Sequence, residues 1–153
     1  MIQRAEIPEI VDGNWEAGHN LFIGKATCSK CHVKSKEGQR VGPDLDNLVH
    51  RDYAGVLRDI VDPNATINPD AIGYNVLLDD GTTVSGTRVA ETDDELHIVP
   101  ASGELAKLKK TNIEEVAPMS VSPMPAGLEK QLTKQELRDL MTYLLLKRNP
   151  KGD

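Results

Sequence analysis

The chain has 153 residues, 39% hydrophobic and 27% charged, with a formal charge of −6. No run of about 18 apolar residues occurs, so nothing reads as a membrane-spanning helix, and two cysteines are too few for a disulfide scaffold. The acidic balance and the lack of a basic run exclude a nucleic-acid partner and fit an acidic surface that docks on a basic one.

The opening Met1-Ile2-Gln3-Arg4-Ala5-Glu6 has neither an apolar h-region nor a small-residue cleavage site. It reads as a cytoplasmic start, or as a mature or excised segment. Residues 1–13 read as a loose lead-in. Asn14 is a candidate N-cap, and Trp15, Gly18, Leu21 and Phe22 share one helical face. Cys28-Ser29-Lys30-Cys31-His32 follows, then a polar loop from Lys34 to Arg40 leading into Gly42-Pro43-Asp44-Leu45. Tyr53, Val56, Leu57, Ile60 and Val61 have the spacing of a buried helical stripe. Asp62-Pro63 ends it, because proline disfavours helical geometry in the residue before it.

The period then changes to two. Tyr74, Val76 and Leu78 alternate, and Asp80-Gly81 predicts a type I′ turn. Val84, Gly86 and Arg88 continue, and strands are expected at Glu95–Val99 and Glu104–Leu108. The expectation is a meander of about four short antiparallel strands. Lys107, Lys109 and Lys110 read as a solvated strand face, and Asn112–Val116 as a helical turn. A stiff loop, Ala117–Gly127, holds Met119, Pro123, Met124 and Pro125. Thr133 and Glu136 predict a capping box. Leu137, Leu140, Met141, Leu144 and Leu145 then repeat the stripe, with Lys147 and Arg148 at the helix end and Asn149-Pro150 stopping it.

Cys-x-x-Cys-His is the attachment signature of c-type haem. Two thiols three residues apart reach the two vinyl groups of one porphyrin, and His32 then lies under the iron as proximal ligand. A zinc site would need two further ligands, and His19, His50 and His97 are scattered. A thioredoxin-type pair would need a preceding strand, where a helical pattern stands instead. For a sixth ligand, Met1 is terminal and Met141 belongs to an apolar stripe, which leaves Met119 and Met124. The three scattered histidines read as surface residues, His97 as an exposed one.

A helix before the motif, a proline loop after it, a methionine loop and a final helix follow in order. The chain therefore resembles a class I cytochrome c. More narrowly, it resembles a bacterial haem-binding domain family with Cys-x-x-Cys-His and a β-rich insertion. The matching stretches are Gly18–Phe22, Cys28–His32, Gly42–Leu45, Ile60–Asn64, the Asp79-Asp80-Gly81 turn and Met124–Tyr143, within about residues 14–147. The resemblance implies a mainly α class I cytochrome c fold interrupted by a small antiparallel β-sheet insertion, α+β overall. Residues 9–70 and 117–150 would form the haem domain, and 71–116 the insertion. It implies one covalent haem c per chain on Cys28 and Cys31, His32 as proximal ligand oriented by the Pro43 carbonyl, and Met124, followed by Pro125, as sixth ligand. It also implies a helix crossing through Gly18, Phe22 and Tyr143. Family members sit behind a sugar-dehydrogenase-like propeller in secreted proteins.

The expected function is that of a monohaem electron carrier rather than an enzyme. It would take single electrons from a dehydrogenase, fused or separate, and pass them to another cytochrome or an oxidase. Its setting would be the periplasm or another extracytoplasmic space, where haem c is attached. The alternative is a gas or peroxide sensor or catalyst with a displaceable sixth ligand. Trp15 and Tyr74 carry polar tips that suit a haem propionate, and the insertion is expected to shield the haem edge or to dock a partner. The thin aromatic complement, one Trp, three Tyr and one Phe, fits a core completed by a porphyrin.

Overall fold

A computed structural model describes residues 7–67 and 69–147. In chain order it contains helix α1 (Trp15–Ile23), strands β1 (Val33–Lys34) and β2 (Glu37–Gly38), and helix α2 (Tyr53–Val61). Strands β3 (Gly73–Leu78), β4 (Thr83–Glu91), β5 (Glu95–Val99), β6 (Ala106–Lys109) and β7 (Ile113–Pro118) follow, then helix α3 (Lys134–Leu145). Short 3-10 turns join several of these elements. The expected Arg148 and Asn149-Pro150 helix end lies outside the described residues. No helix among them is long and apolar enough to cross a membrane.

The mainly α cytochrome c fold expected from the resemblance is not what the chain adopts. A five-stranded and a two-stranded antiparallel sheet stand beside three helices. Strand residues outnumber α-helical ones, so the protein is sheet-rich α+β. Two local departures produce this. The expected helical turn at Asn112–Val116 is instead β7, because pairing with β3 overrides the helical preference of Glu114 and Glu115. The expected polar loop after His32 is a tight hairpin, β1 against β2.

The chain divides into two compact units. One is formed by residues up to Asp62 and from Ala126 onward, the other by Pro63–Pro125. In the first unit, Asn14 caps α1, its side chain accepting from the Ala17 N–H at 2.9 Å. Thr133 and Glu136 close the predicted capping box on α3. The two helices cross where α1 is smallest. A Cβ on Gly18 would sit 1.9 Å from the Asp139 carbonyl oxygen, so only glycine allows this approach. Phe22 and Tyr143 fill the crossing with ring centroids 5.3 Å apart. Phe22, Val56, Leu140, Met141 and Leu144 make the core around it.

In the second unit the strand order is β6-β5-β4-β3-β7. The four expected strands form a meander, and β7 returns to the far edge beside β3. Val76, Leu96 and Ile98 are its buried centre, ringed by Leu78, Val84, Leu108 and Ile113. The β3–β4 connection is not the expected type I′ turn. Gly81 alone has positive φ, at 88°, and its N–H donates to the Leu78 carbonyl at 3.0 Å while the Leu78 N–H donates to Thr82. That is a type I turn closed by a left-handed glycine. The type I′ geometry occurs instead at Ser35 and Lys36, with φ of 51° and 69°. At the ends of the unit, the Ser122 N–H donates to the Asn64 side chain at 2.7 Å.

Candidate functional site

Cys28, Cys31, His32 and Pro43 come together in the first unit. Thr27 turns the chain after α1 with a left-handed φ of 58°, and Cys28–Lys30 forms one 3-10 turn. The His32 N–H donates to the Cys28 carbonyl at 2.9 Å. The backbone of the following loop then binds the motif. The Gln39 N–H donates to Ser29, those of Val41 and Gly42 donate to Cys31 at 3.1 and 2.6 Å, and that of Leu45 donates to Val33. Gly38 allows the hairpin to lie close, since a Cβ there would sit 2.0 Å from the His32 carbonyl oxygen.

The His32 ring is fixed by two contacts. Its Nδ1 lies 2.7 Å from the Pro43 carbonyl oxygen. A carbonyl can only accept, so Nδ1 carries the hydrogen and the neutral ring presents the lone pair of Nε2. Gly42 lies against the ring, where an added Cβ would be 2.8 Å from Cε1. Burial lowers the pKa of His32 below its usual 6.5, while the Pro43 hydrogen bond pulls the other way. The two thiols are not joined in a disulfide. Burial pushes Cys28 up to about 11, and it raises Cys31 despite the nearby Lys30 ammonium.

Lys34 and its partners escape sequence reasoning, since lysine is by default a solvated residue. Here it is 1% exposed. Its Nζ lies 3.5 Å from the Leu146 carbonyl oxygen and 4.7 Å from the centroid of Tyr143. Burial lowers its pKa, against the opposing pull of Asp46 and Asp44. The Trp15 indole N–H donates to the same Leu146 carbonyl at 3.3 Å. Burial, with the nearby Glu37 charge, pushes the pKa of the Tyr143 hydroxyl up to about 12, against the opposing pull of the Ser35 side chain. The signal for Gly42 was present, as the residue before Pro43.

Met124 lies in the second unit, its N–H donating to the Ser122 hydroxyl at 3.2 Å. Met119 is there too, its sulfur close enough to Gly73 that a Cβ on that glycine would be 2.5 Å away. Met141 is fully buried core, as expected. His19 contacts Glu37 at 2.6 Å and packs on Trp15 and Tyr143. His50 is exposed. His97, expected on the surface, is only 14% exposed and lies 3.4 Å from Glu95. Both expected propionate partners are engaged elsewhere: Trp15 on Leu146, and Tyr74 under the Arg88 guanidinium at 4.8 Å.

Among the described residues no group of three or more His, Cys, Asp and Glu side chains is arranged to hold a metal ion. The fit to a haem rests on other features: one imidazole with a free Nε2, two thiols outside any disulfide on the preceding turn, and an apolar rim. Leu45, Leu48, Tyr53, Leu57 and Ile60 pack on the core together with Cys28 yet stay partly exposed, which suits a flat apolar body. No model of a known protein family matches the chain, and no curated protein matches it.

Proposed function

We propose that the protein is a monohaem electron-transfer domain. Cys28 and Cys31 would hold one haem c, and His32 Nε2 would be its proximal ligand. The observation that carries this reading is the hydrogen bond from His32 Nδ1 to the Pro43 carbonyl, 2.7 Å long. Histidine ligands to metals nearly always donate from their second nitrogen, which fixes the tautomer and makes the ligand more basic. Each thiol would add across one vinyl double bond, sulfur to one carbon and the proton to the other, with no leaving group. A bound haem would supply one-electron iron chemistry. The protein would orient the ligand, keep His32 neutral through burial, and exclude water with the apolar rim.

Met124, followed by Pro125, is the proposed sixth ligand, with Met119, whose sulfur packs against Gly73, the second candidate. An iron with both axial positions filled carries electrons rather than binding substrates. The proposed donor is a dehydrogenase and the acceptor another cytochrome or an oxidase, in an extracytoplasmic compartment where covalent attachment occurs.

A pyridine haemochrome spectrum on protein made with the haem c maturation system tests the reading. One covalent haem per chain is expected, lost in the Cys28→Ala/Cys31→Ala double variant. Wild-type protein without covalent haem would overturn it. Met124→Ala should remove the weak sulfur–iron absorption band and Met119→Ala should keep it. Tight carbon monoxide binding by the ferrous wild type would instead favour a sensor with an open sixth position.

A further inference from the structure

One face of the sheet in the second unit is left uncovered. Side chains alternate along a strand, so the rung Val84–Val76–Val116 across β4, β3 and β7 turns to the core side, where Val76 is fully buried. The rungs beside it, Ser85–Asn75–Ala117 and Thr83–Leu77–Glu115, turn the other way, and none of their six residues is buried. They form a shallow groove with Leu77 and Ala117 at its centre. The outer edge of β7 is guarded against strand addition by the bulged Glu114, which has no partner on β3, and by Pro118. The open surface is therefore the face itself.

Charge is divided unevenly along the chain. Residues 63–125 hold ten Asp and Glu against four Lys and Arg, and that excess of six is the whole net charge of the protein. Asp79, Asp80, Glu114 and Glu115 are exposed, and the Asp79 N–H donates to the Asn112 carbonyl at 2.9 Å, which brings their two segments to one end of the face. Among the described residues none of these four carboxylates pairs with a cation. Of the four cations, Arg88 lies over Tyr74 and Lys110 pairs with Glu91 at 2.9 Å, while Lys107 and Lys109 stand on β6, at the opposite edge of the sheet.

We propose that this face docks a basic protein, the redox partner of the electron carrier proposed above. The partner's redox role rests on that reading. A second copy of this chain would set like charges together, and a nucleic acid or an anionic membrane would be repelled in the same way. The carboxylates are not gathered as a metal site among the described residues, and spread along a sheet they suit several lysines and arginines of one protein surface. An apolar centre within a charged rim is the anatomy of a protein interface. Small, weak contacts are typical of electron-transfer pairs, and charge steers their encounter.

The test is an NMR titration of the full chain at low ionic strength, with a reduced, basic monohaem cytochrome c as the probe. Amide shifts should cluster on β3, β7 and the first half of β4, and fade as salt screens the charges. Glu115→Lys should weaken binding about tenfold. Glu104→Lys changes the net charge equally at an exposed position in the β5–β6 connection and should change binding far less. Electron transfer from the reduced, haem-loaded chain to the oxidised probe should slow in Glu115→Lys and not in Glu104→Lys. Equal weakening by the two variants would mean attraction by net charge alone and overturns the assignment. So do shifts confined to other residues, or no binding by the wild type. Wild-type protein without covalent haem overturns the electron-carrier reading and the partner's redox role with it. Loaded protein that fails the binding comparison overturns the docking face alone.

Discussion

The imidazole of His32 is gripped by a carbonyl on one nitrogen and by Gly42 against its ring, so small changes there have a readable effect. Gly42→Ala puts a Cβ 2.8 Å from Cε1 and should push the ring off Pro43. A loss of about 1–3 kcal/mol in urea unfolding is expected, with disappearance of the protected Nδ1 proton in NMR spectra. The pH dependence follows from the same side chains. The unfolded chain takes a proton on His32 before the folded one does, so stability without haem should fall as pH drops below 6.5. Cys28 works the other way, rising from 9.0 to about 11. Its contribution is complete below pH 9 and lost as pH rises toward 11. Covalent loading should remove the Cys28 part of that alkaline slope, because a thioether has no proton, and leave the part of Tyr143 above pH 10. Denaturant titrations across pH with and without haem check both signs.

At the level of elements, the helices were legible and the sheet only partly so. The 3.6-residue spacing around Val56 and Leu140 and the caps at Asn14 and Thr133 are local signals, and α1, α2 and α3 appear where they point. β7 has no such signal, because Glu114 and Glu115 favour helix and only the distant β3 makes them a strand. The left-handed Ser35 and Lys36 are invisible for the same reason, since neither residue type advertises positive φ. In the site, His32 and Pro43 could be paired on paper through the resemblance, whereas Lys34 could not. Its burial depends on Leu146, more than a hundred residues away along the chain. Gly18 is the element whose failure should be most costly. A methyl group there would meet the Asp139 carbonyl at 1.9 Å. Gly18→Ala should destabilise the helix crossing by about 3 kcal/mol, measured by loss of the folded signal at lower urea.

For the whole molecule, two compact units built on separate cores should not unfold as one. Calorimetry should show two transitions, and haem attachment should raise that of the unit holding Cys28 and His32. A single transition, unmoved by haem, would contradict this division. The bond between Ser122 and Asn64 gives the division a temporal meaning. In chain order, α1 and the cysteine turn come first, the sheet next and α3 last. Until α3 arrives, Gly18 and Phe22 have nothing to cross, and both thiols wait on an unfinished half-domain. Once the sheet closes, its two ends are clasped side by side. The span that α3 must search then shrinks from about 60 residues to a handful, which saves roughly 2 kcal/mol of chain entropy. The β-sheet should thus act as an assembly clasp for a unit to which it contributes no strand, and Asn64→Ala should slow refolding of that unit in stopped-flow measurements.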